Sequence, residues 1–279
     1  MNPVVVKIPV PIMFEITSAV ALKNPSWRTR VPGRDLVCVL KTGRFSYFRT
    51  DDCAIRRDPL LKNESMPGTK QILETAAPLV PSHGTLAEVR EAAAHCKACP
   101  LWQRGTQTVF GEGNAHARMM LVGEQPGNDE DLAGHPFIGP AGKLLDRALD
   151  EAGIDRRLTW VTNTVKHFKW EPRGKRRIHA KPSSLEITAC LPWLRAELSL
   201  VKPKILVCLG ATAAQALLGK QFRITRDRGV FVQSPLAPHV MATIHPSAIL
   251  RAIDDETRAL EMRRFVEDLK VVAPLLKAA

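Results

Sequence analysis

Residues 118 to 127 read Arg118-Met119-Met120-Leu121-Val122-Gly123-Glu124-Gln125-Pro126-Gly127. A short apolar run closed by a Gly/Pro turn is the pattern of a strand buried on both faces, as in a parallel sheet. Gly123 and Gly127, with Pro126 between them, end the strand sharply. Glu124 and Gln125 then stand at the carboxyl edge of the sheet, which is where open α/β sheets bind their ligands.

Working outward, similar strands are expected at residues 160 to 162, 205 to 209 and 240 to 244, with helices between them. This alternation predicts an α/β fold, a parallel sheet covered on both faces. A first helix runs from Thr85 to about His95. Gly139-Pro140-Ala141-Gly142 opens another, whose Leu144, Leu145, Ala148 and Leu149 recur at helical spacing up to Gly153. Ser183-Ser184-Leu185-Glu186 is a capping-box pattern opening the helix of Cys190, which Pro192 is expected to kink or break. Gly210-Ala211-Thr212 turns a buried strand into a short helix ending at Leu218 and Gly219. The last helix, from about Asp254 to Val272, is expected to turn Leu260, Phe265, Leu269 and Val272 inward.

Residues 1 to 82 are irregular and form an N-terminal extension, expected to be partly disordered, ahead of a domain spanning residues 83 to 279. The extension holds strand-like runs at 4 to 8 and from Leu36 to Tyr47, then a Pro-bearing linker from Met66 to Pro81. No function attaches to it. Met1 to Leu22 imitates an export signal, but Pro9, Pro11 and Glu15 interrupt it. No run of about eighteen apolar residues suggests a membrane span, so a soluble, cytoplasmic protein is expected. The net charge of +12 favours a polyanionic partner without choosing between DNA, RNA and anionic lipid.

Two further features carry chemistry. Lys175-Arg176-Arg177-Ile178-His179 places an imidazole, a potential nucleophile, at the end of a cationic run that suits a DNA backbone. The six cysteines include Cys96-Lys97-Ala98-Cys99, a spacing that lets two thiolates converge on one metal. Cys190 is available as a third ligand and His167 as a fourth, whereas Cys208 and Cys38 read as buried hydrophobes and Cys53 is unassigned. Three Cys and one His suit zinc and also suit an iron-sulfur cluster.

Taken together, these residues resemble the iron-sulfur uracil-DNA glycosylases of family four, and within them the UdgX branch, whose members attach covalently to uracil-containing DNA. The resemblance covers about His95 to Leu269. It rests on Cys96-x-x-Cys99, Val109-Phe110-Gly111-Glu112-Gly113, Gly123-Glu124-Gln125-Pro126-Gly127 and Gly134-His135-Pro136-Phe137-Ile138-Gly139-Pro140-Ala141-Gly142. It continues through Thr162-Asn163-x-Val165-Lys166, the Lys175 to His179 loop, and His245-Pro246-Ser247-x-x-Leu250-Arg251. Ordinary family-four sequences have Gly where Gln125 stands and Cys where His167 stands, and they lack the Lys175 to His179 loop. All three departures resemble UdgX.

The resemblance implies a three-layer αβα fold with a short, mainly parallel central sheet. It also implies a monomer acting on uracil-containing DNA, single-stranded or with the base flipped out. Phe137 would stack on the uracil and Asn163 would read its polar edge. Gly123 and Ser247 would belong to the same binding surface. Glu124 would stabilise the cationic sugar and act as base, His245 would hydrogen-bond the departing pyrimidine, and Gln125 would position the loop or the nucleophile. His179 would replace water and bond C1′, with Lys175 and Arg177 on phosphates. Cys96, Cys99, His167 and Cys190 would hold a structural 4Fe-4S cluster in preference to zinc. Two alternatives stay open: a turning-over glycosylase using water, and a non-catalytic uracil-DNA sensor.

Overall fold

The computed structural model describes residues 75 to 277 and three strands nearer the N-terminus. The chain divides into two compact units, Met1–Thr69 and Lys70–Ala279. In the first, β1 (Trp27–Val31), β2 (Arg34–Lys41) and β3 (Arg44–Arg49) form an antiparallel sheet in that order. The run from Leu36 to Tyr47 is therefore two strands, with Leu36 paired to Arg49 and Lys41 to Arg44. The strand-like run at 4 to 8, Cys53, and the linker up to residue 74 lie outside the described residues.

The second unit is built on a six-stranded sheet. Its strands are β4 (Glu112–Gly113), β5 (Met119–Gly123), β6 (Thr159–Asn163), β9 (Ile205–Leu209), β10 (Phe231–Val232) and β11 (His239–Thr243). They lie in the order β10-β11-β9-β5-β6-β4. The inner four are parallel, and the two-residue strands β4 and β10 close the edges antiparallel. Between β6 and β9 in sequence, β7 (Trp170–Arg173) and β8 (Arg176–His179) pair, among the described residues, only with each other.

Side chains alternate across a strand, and here the alternation feeds two separate cores. Met120, Val122, Trp160, Leu206, Cys208, Val240 and Ala242 pack on one side. They meet α1 (Leu86–Ala94), α4 (Ser184–Val201) and α5 (Ala211–Leu218). Met119, Leu121, Val161, Ile205, Val207, Leu209 and Met241 pack on the other. There they meet α3 (Pro140–Glu151), α7 (Pro246–Leu250), α8 (Asp255–Lys270) and α9 (Ala273–Lys277). The short helices α2 (Asn128–Ala133) and α6 (Ile224–Asp227) follow β5 and precede β10. This is the three-layer αβα arrangement with a mainly parallel sheet. Among the described residues no helix is long and apolar enough to cross a membrane.

Local signals set most boundaries. Thr85 and Ser183 each close a capping box, with Glu88 and Glu186, at the starts of α1 and α4. Two expectations need correction. Pro192 does not break α4, which continues to Val201. Pro costs about 3 kcal/mol within a helix, but buried Trp193, Leu194 and Leu198 beyond it hold the helix on the sheet, and full burial of one such side chain contributes roughly 1.5–3 kcal/mol. Leu260 does not face inward either: α8 buries Met262, Phe265, Val266 and Leu269, a stripe with which Leu260 is out of phase.

Phe265→Ala should therefore lower unfolding free energy by about 3–5 kcal/mol, while Leu260→Ala stays within about 0.5 kcal/mol of wild type. Urea titration of both variants checks the assigned phase of α8.

Candidate active site at the carboxyl edge of the sheet

The carboxyl ends of the parallel strands open into a cavity of about 910 Å³. Glu124 follows β5, Asn163 ends β6, Thr212 lies in the first turn of α5 after β9, and His245 caps α7 just after β11. All four line the cavity, as do Gln125, Phe137, His179 and Ser247. Gly123 lies directly behind its wall. Residues from across the sequence converge because parallel strands all point their carboxyl ends the same way.

Glu124 has its two oxygens assigned to different neighbours. Oε2 accepts a short hydrogen bond from the Thr212 hydroxyl, and Oε1 lies 3.4 Å from Nε2 of His179. Burial holds the His179 ring below the ordinary imidazole range, opposed by the attraction of Glu124. At neutral pH the ring is thus uncharged and keeps a lone pair. Thr212 carried no functional signal in the sequence beyond its place in a strand-to-helix turn.

His245 has a defined tautomer. Its Nδ1 accepts from the Ser247 main-chain N–H at 3.1 Å and lies 2.8 Å from the Ser247 hydroxyl. A nitrogen that accepts a main-chain N–H carries no proton, so the proton of the neutral ring sits on Nε2 as a donor. Burial pushes this pKa down to about 4, helped by the positive field of Arg251.

Asn163 is 2% exposed, and its Oδ1 is a buried acceptor with no partner among the described residues. Leaving such an atom unpaired costs about 1–3 kcal/mol, so the empty acceptor is poised for a ligand N–H. Phe137 sits at φ 58°, a left-handed conformation unusual for a side-chain-bearing residue, and its ring centroid is 5.8 Å from that of His245. Gly123 makes this crowding possible: a Cβ there would lie 2.4 Å from Asn163 Oδ1 and 2.6 Å from Phe137 Cζ.

Within the Lys175 to His179 segment, Arg176–His179 is a strand of a hairpin and not a loop. Gly174, at φ 60°, and Lys175 make its turn. Gln125 fastens the hairpin's base. Its Nε2 donates to the carbonyls of Lys169 and Ala180, both at 3.1 Å, and its Oε1 accepts the Lys169 N–H at 3.1 Å. Arg177 fastens the middle, pairing with fully buried Asp131 at 2.7 Å and donating to Asn128 Oδ1 at 2.9 Å. Its guanidinium also lies over Phe168 and Trp170. Asp131 gave no sequence signal, because an acid in the first turn of a helix reads as ordinary dipole compensation. Lys175 is exposed at the tip.

The expected metal centre is a correction. Among the described residues no group of three or more His, Cys, Asp or Glu side chains is arranged to hold a metal ion. Neither the 4Fe-4S cluster nor zinc, assigned to Cys96, Cys99, His167 and Cys190, survives that test. The three thiols are free and buried in the core that includes α1 and α4. Cys96 accepts a hydrogen bond from Trp193 Nε1 and Cys190 from the Lys166 N–H. The ring of His167 lies 3.0 Å from the Thr108 hydroxyl. Burial raises the Cys99 pKa and pushes that of Cys190 up to about 12. The Cys-x-x-Cys spacing is met equally well by thiols that fill a core.

A family model of the uracil DNA glycosylase superfamily matches residues 110–270. The chain is 38% identical over 191 residues to the type-4 uracil-DNA glycosylase of Thermotoga maritima, a match covering 68% of this chain and 93% of that one. The type-4 enzyme of Sulfurisphaera tokodaii is 38% identical over 174 residues, 60% of this chain and 76% of its own. A type-5 uracil-DNA glycosylase of Thermus thermophilus is 31% identical over 166 residues, 53% of this chain and 71% of its own. The chain belongs to the uracil DNA glycosylase superfamily. Within it, the chain falls with family four.

The tautomer of His245 is open to measurement. Nitrogen-15 NMR should find a neutral ring protonated at Nε2 from neutral pH down to about 4. The unfolded chain binds this proton near 6.5 and the native state does not, so stability should fall as pH drops from 6.5 towards 4. A ring titrating near 6.5 in the native protein would refute the control by burial.

Proposed function

We propose that this protein excises uracil from DNA and joins itself to the resulting abasic sugar through His179. The observation that carries the reading is the neutral imidazole held 3.4 Å from the Glu124 carboxylate at the cavity. A flipped-out uridine enters base first. Phe137 stacks on the pyrimidine, and the unpartnered Oδ1 of Asn163 accepts from its N–H.

The C1′–N1 bond then breaks, and its electron pair leaves with the uracil. Nε2–H of His245 donates to the pyrimidine oxygen where that negative charge gathers. Glu124 stabilises the cationic sugar, the paired electrostatic task of glycosidic cleavage. A neutral ring nitrogen of His179 supplies the electron pair for the new bond to C1′. The ring becomes cationic at that moment, and Glu124 balances the charge and can take the remaining ring proton. Burial lowers the His179 pKa and so favours the neutral form of the ring that can act as nucleophile.

Gln125 and Arg177 act through the hairpin. They hold its base and middle to the sheet edge and to α2, so that the imidazole arrives in one orientation. The substrate supports a place of work in the cytoplasm with the nucleoid.

A denaturing gel of protein mixed with a uracil-containing oligonucleotide tests the proposal. A heat-stable shifted band is expected. Free uracil over an abasic strand with no band would instead mean water is the nucleophile, and neither product would leave only a binding protein. His179→Ala should lose the band and still release uracil, since Glu124 remains and water enters the vacated space. A wild-type band from His179→Ala would place the nucleophile elsewhere.

Gln125→Ala should slow adduct formation about 10- to 100-fold, the scale of a nucleophile misplaced by about 1 Å, while uracil release changes little. Quenched time courses of both products measure the split, and equal losses in the two would show that Gln125 serves the cleavage step instead.

A further inference from the structure

Strand alternation sorts the cationic run into two sets that the sequence could not separate. In the hairpin, Pro172 faces Arg177 and Trp170 faces His179 across the ladder, while Arg173 faces Arg176 and Glu171 faces Ile178. Directly opposed residues share a face. Arg177 and His179 therefore look towards Phe168, whose ring lies 5.5 Å from the guanidinium and 6.1 Å from the imidazole. Arg173 and Arg176 look the other way, with Lys175 at the turn.

The second set is electrostatically unbalanced. Arg173, Lys175 and Arg176 are all exposed, and among the described residues none has an acidic partner within ion-pair distance, Glu171 on the same face included. Like charges directly opposite each other destabilise a strand pair, and a two-stranded hairpin alone is marginal. This patch gains stability when an anion covers it. Its face continues through Ile178, and Ile178 and Lys181 both line the cavity.

We infer that Arg173, Lys175 and Arg176 form the phosphate track for the uridine-bearing DNA strand, leading its backbone along the outer face of the hairpin to the cavity, and that Arg177 is not a DNA contact. The inference rests on the proposed function for the identity of the polyanion. It adds Arg173 and Arg176 as binding residues and removes Arg177 from that role.

Salt dependence distinguishes the two sets. Binding of a uracil-free single-stranded oligonucleotide to the full-length protein is measured across salt concentrations, which requires no catalysis. Each lost phosphate contact should shallow the slope of log K against log salt by about 0.7. Arg173→Gln with Arg176→Gln should shallow it by about 1.4, and Arg173→Lys with Arg176→Lys should restore it. Arg177→Gln should keep the wild-type slope and slow adduct formation at saturating uracil-containing DNA. The inference is overturned if the double glutamine variant, folded by its circular dichroism, keeps the wild-type slope, or if Arg177→Gln shallows it as much. A shallower slope in a protein that forms no adduct would sustain the track and reject the self-trapping mechanism.

Discussion

At the centre of the glycosylase unit, Lys166 and Glu197 form an ion pair at 2.5 Å with both side chains essentially out of water. Lys166 also donates to the Thr162 hydroxyl and to the Asn163 carbonyl, and Glu197 accepts from Thr162 and from the Gly111 N–H. One pair of charges thus ties α4, the end of β6 and the chain before β4. A Cβ at Gly111 would lie 2.3 Å from Glu197 Oε1, so the main chain reaches the carboxylate only because no side chain intervenes. Apolar side chains of the same volume often stabilise a fold as well as a buried pair, but removing one partner costs about 3–5 kcal/mol. What the pair supplies is position, and the residue whose carbonyl it holds carries the unpartnered amide of the cavity.

The amino-acid sequence makes the sheet legible for a physical reason. Strands buried on both faces leave uninterrupted apolar runs, and β9 was expected at its observed bounds while β6 and β11 differ by one residue at their ends. The chemistry-bearing turns follow, because residues just after parallel strands share one edge. Legibility fails where packing between distant segments decides. Pro192 obeys its neighbours' burial against a local rule, and Leu260 sits one step off the helical phase that Phe265 and Leu269 define. The hairpin was hidden because Pro172 and its charges leave no alternating apolar pattern. Its fastenings, Gln125 and Asp131, are 44 to 55 and 46 residues from the atoms they grip. The metal expectation failed differently: spacing along the chain says which thiols can meet, and says nothing of whether they are arranged around an ion.

The cavity uses its electrostatics asymmetrically. Burial lowers the pKa of both His245 and His179, opposed at His179 by the nearby Glu124 carboxylate. The difference lies in what each ring touches: a main-chain N–H fixes the proton of one, while a carboxylate stands beside the other. Two identical side chains lining one cavity are thereby given different surroundings, beside a Phe137 whose backbone lies in the left-handed region.

The β7–β8 ribbon shares no ladder with the central sheet. A ribbon that, among the described residues, pairs only with itself adds no strand to the ladder of the central sheet. Evolution or an engineer can accordingly exchange this appendage as a cassette, provided the receiving surface carries a buried acid for Arg177 and an amide for the two carbonyls at the base. A scaffold lacking these two sockets would receive the imidazole and lose its aim.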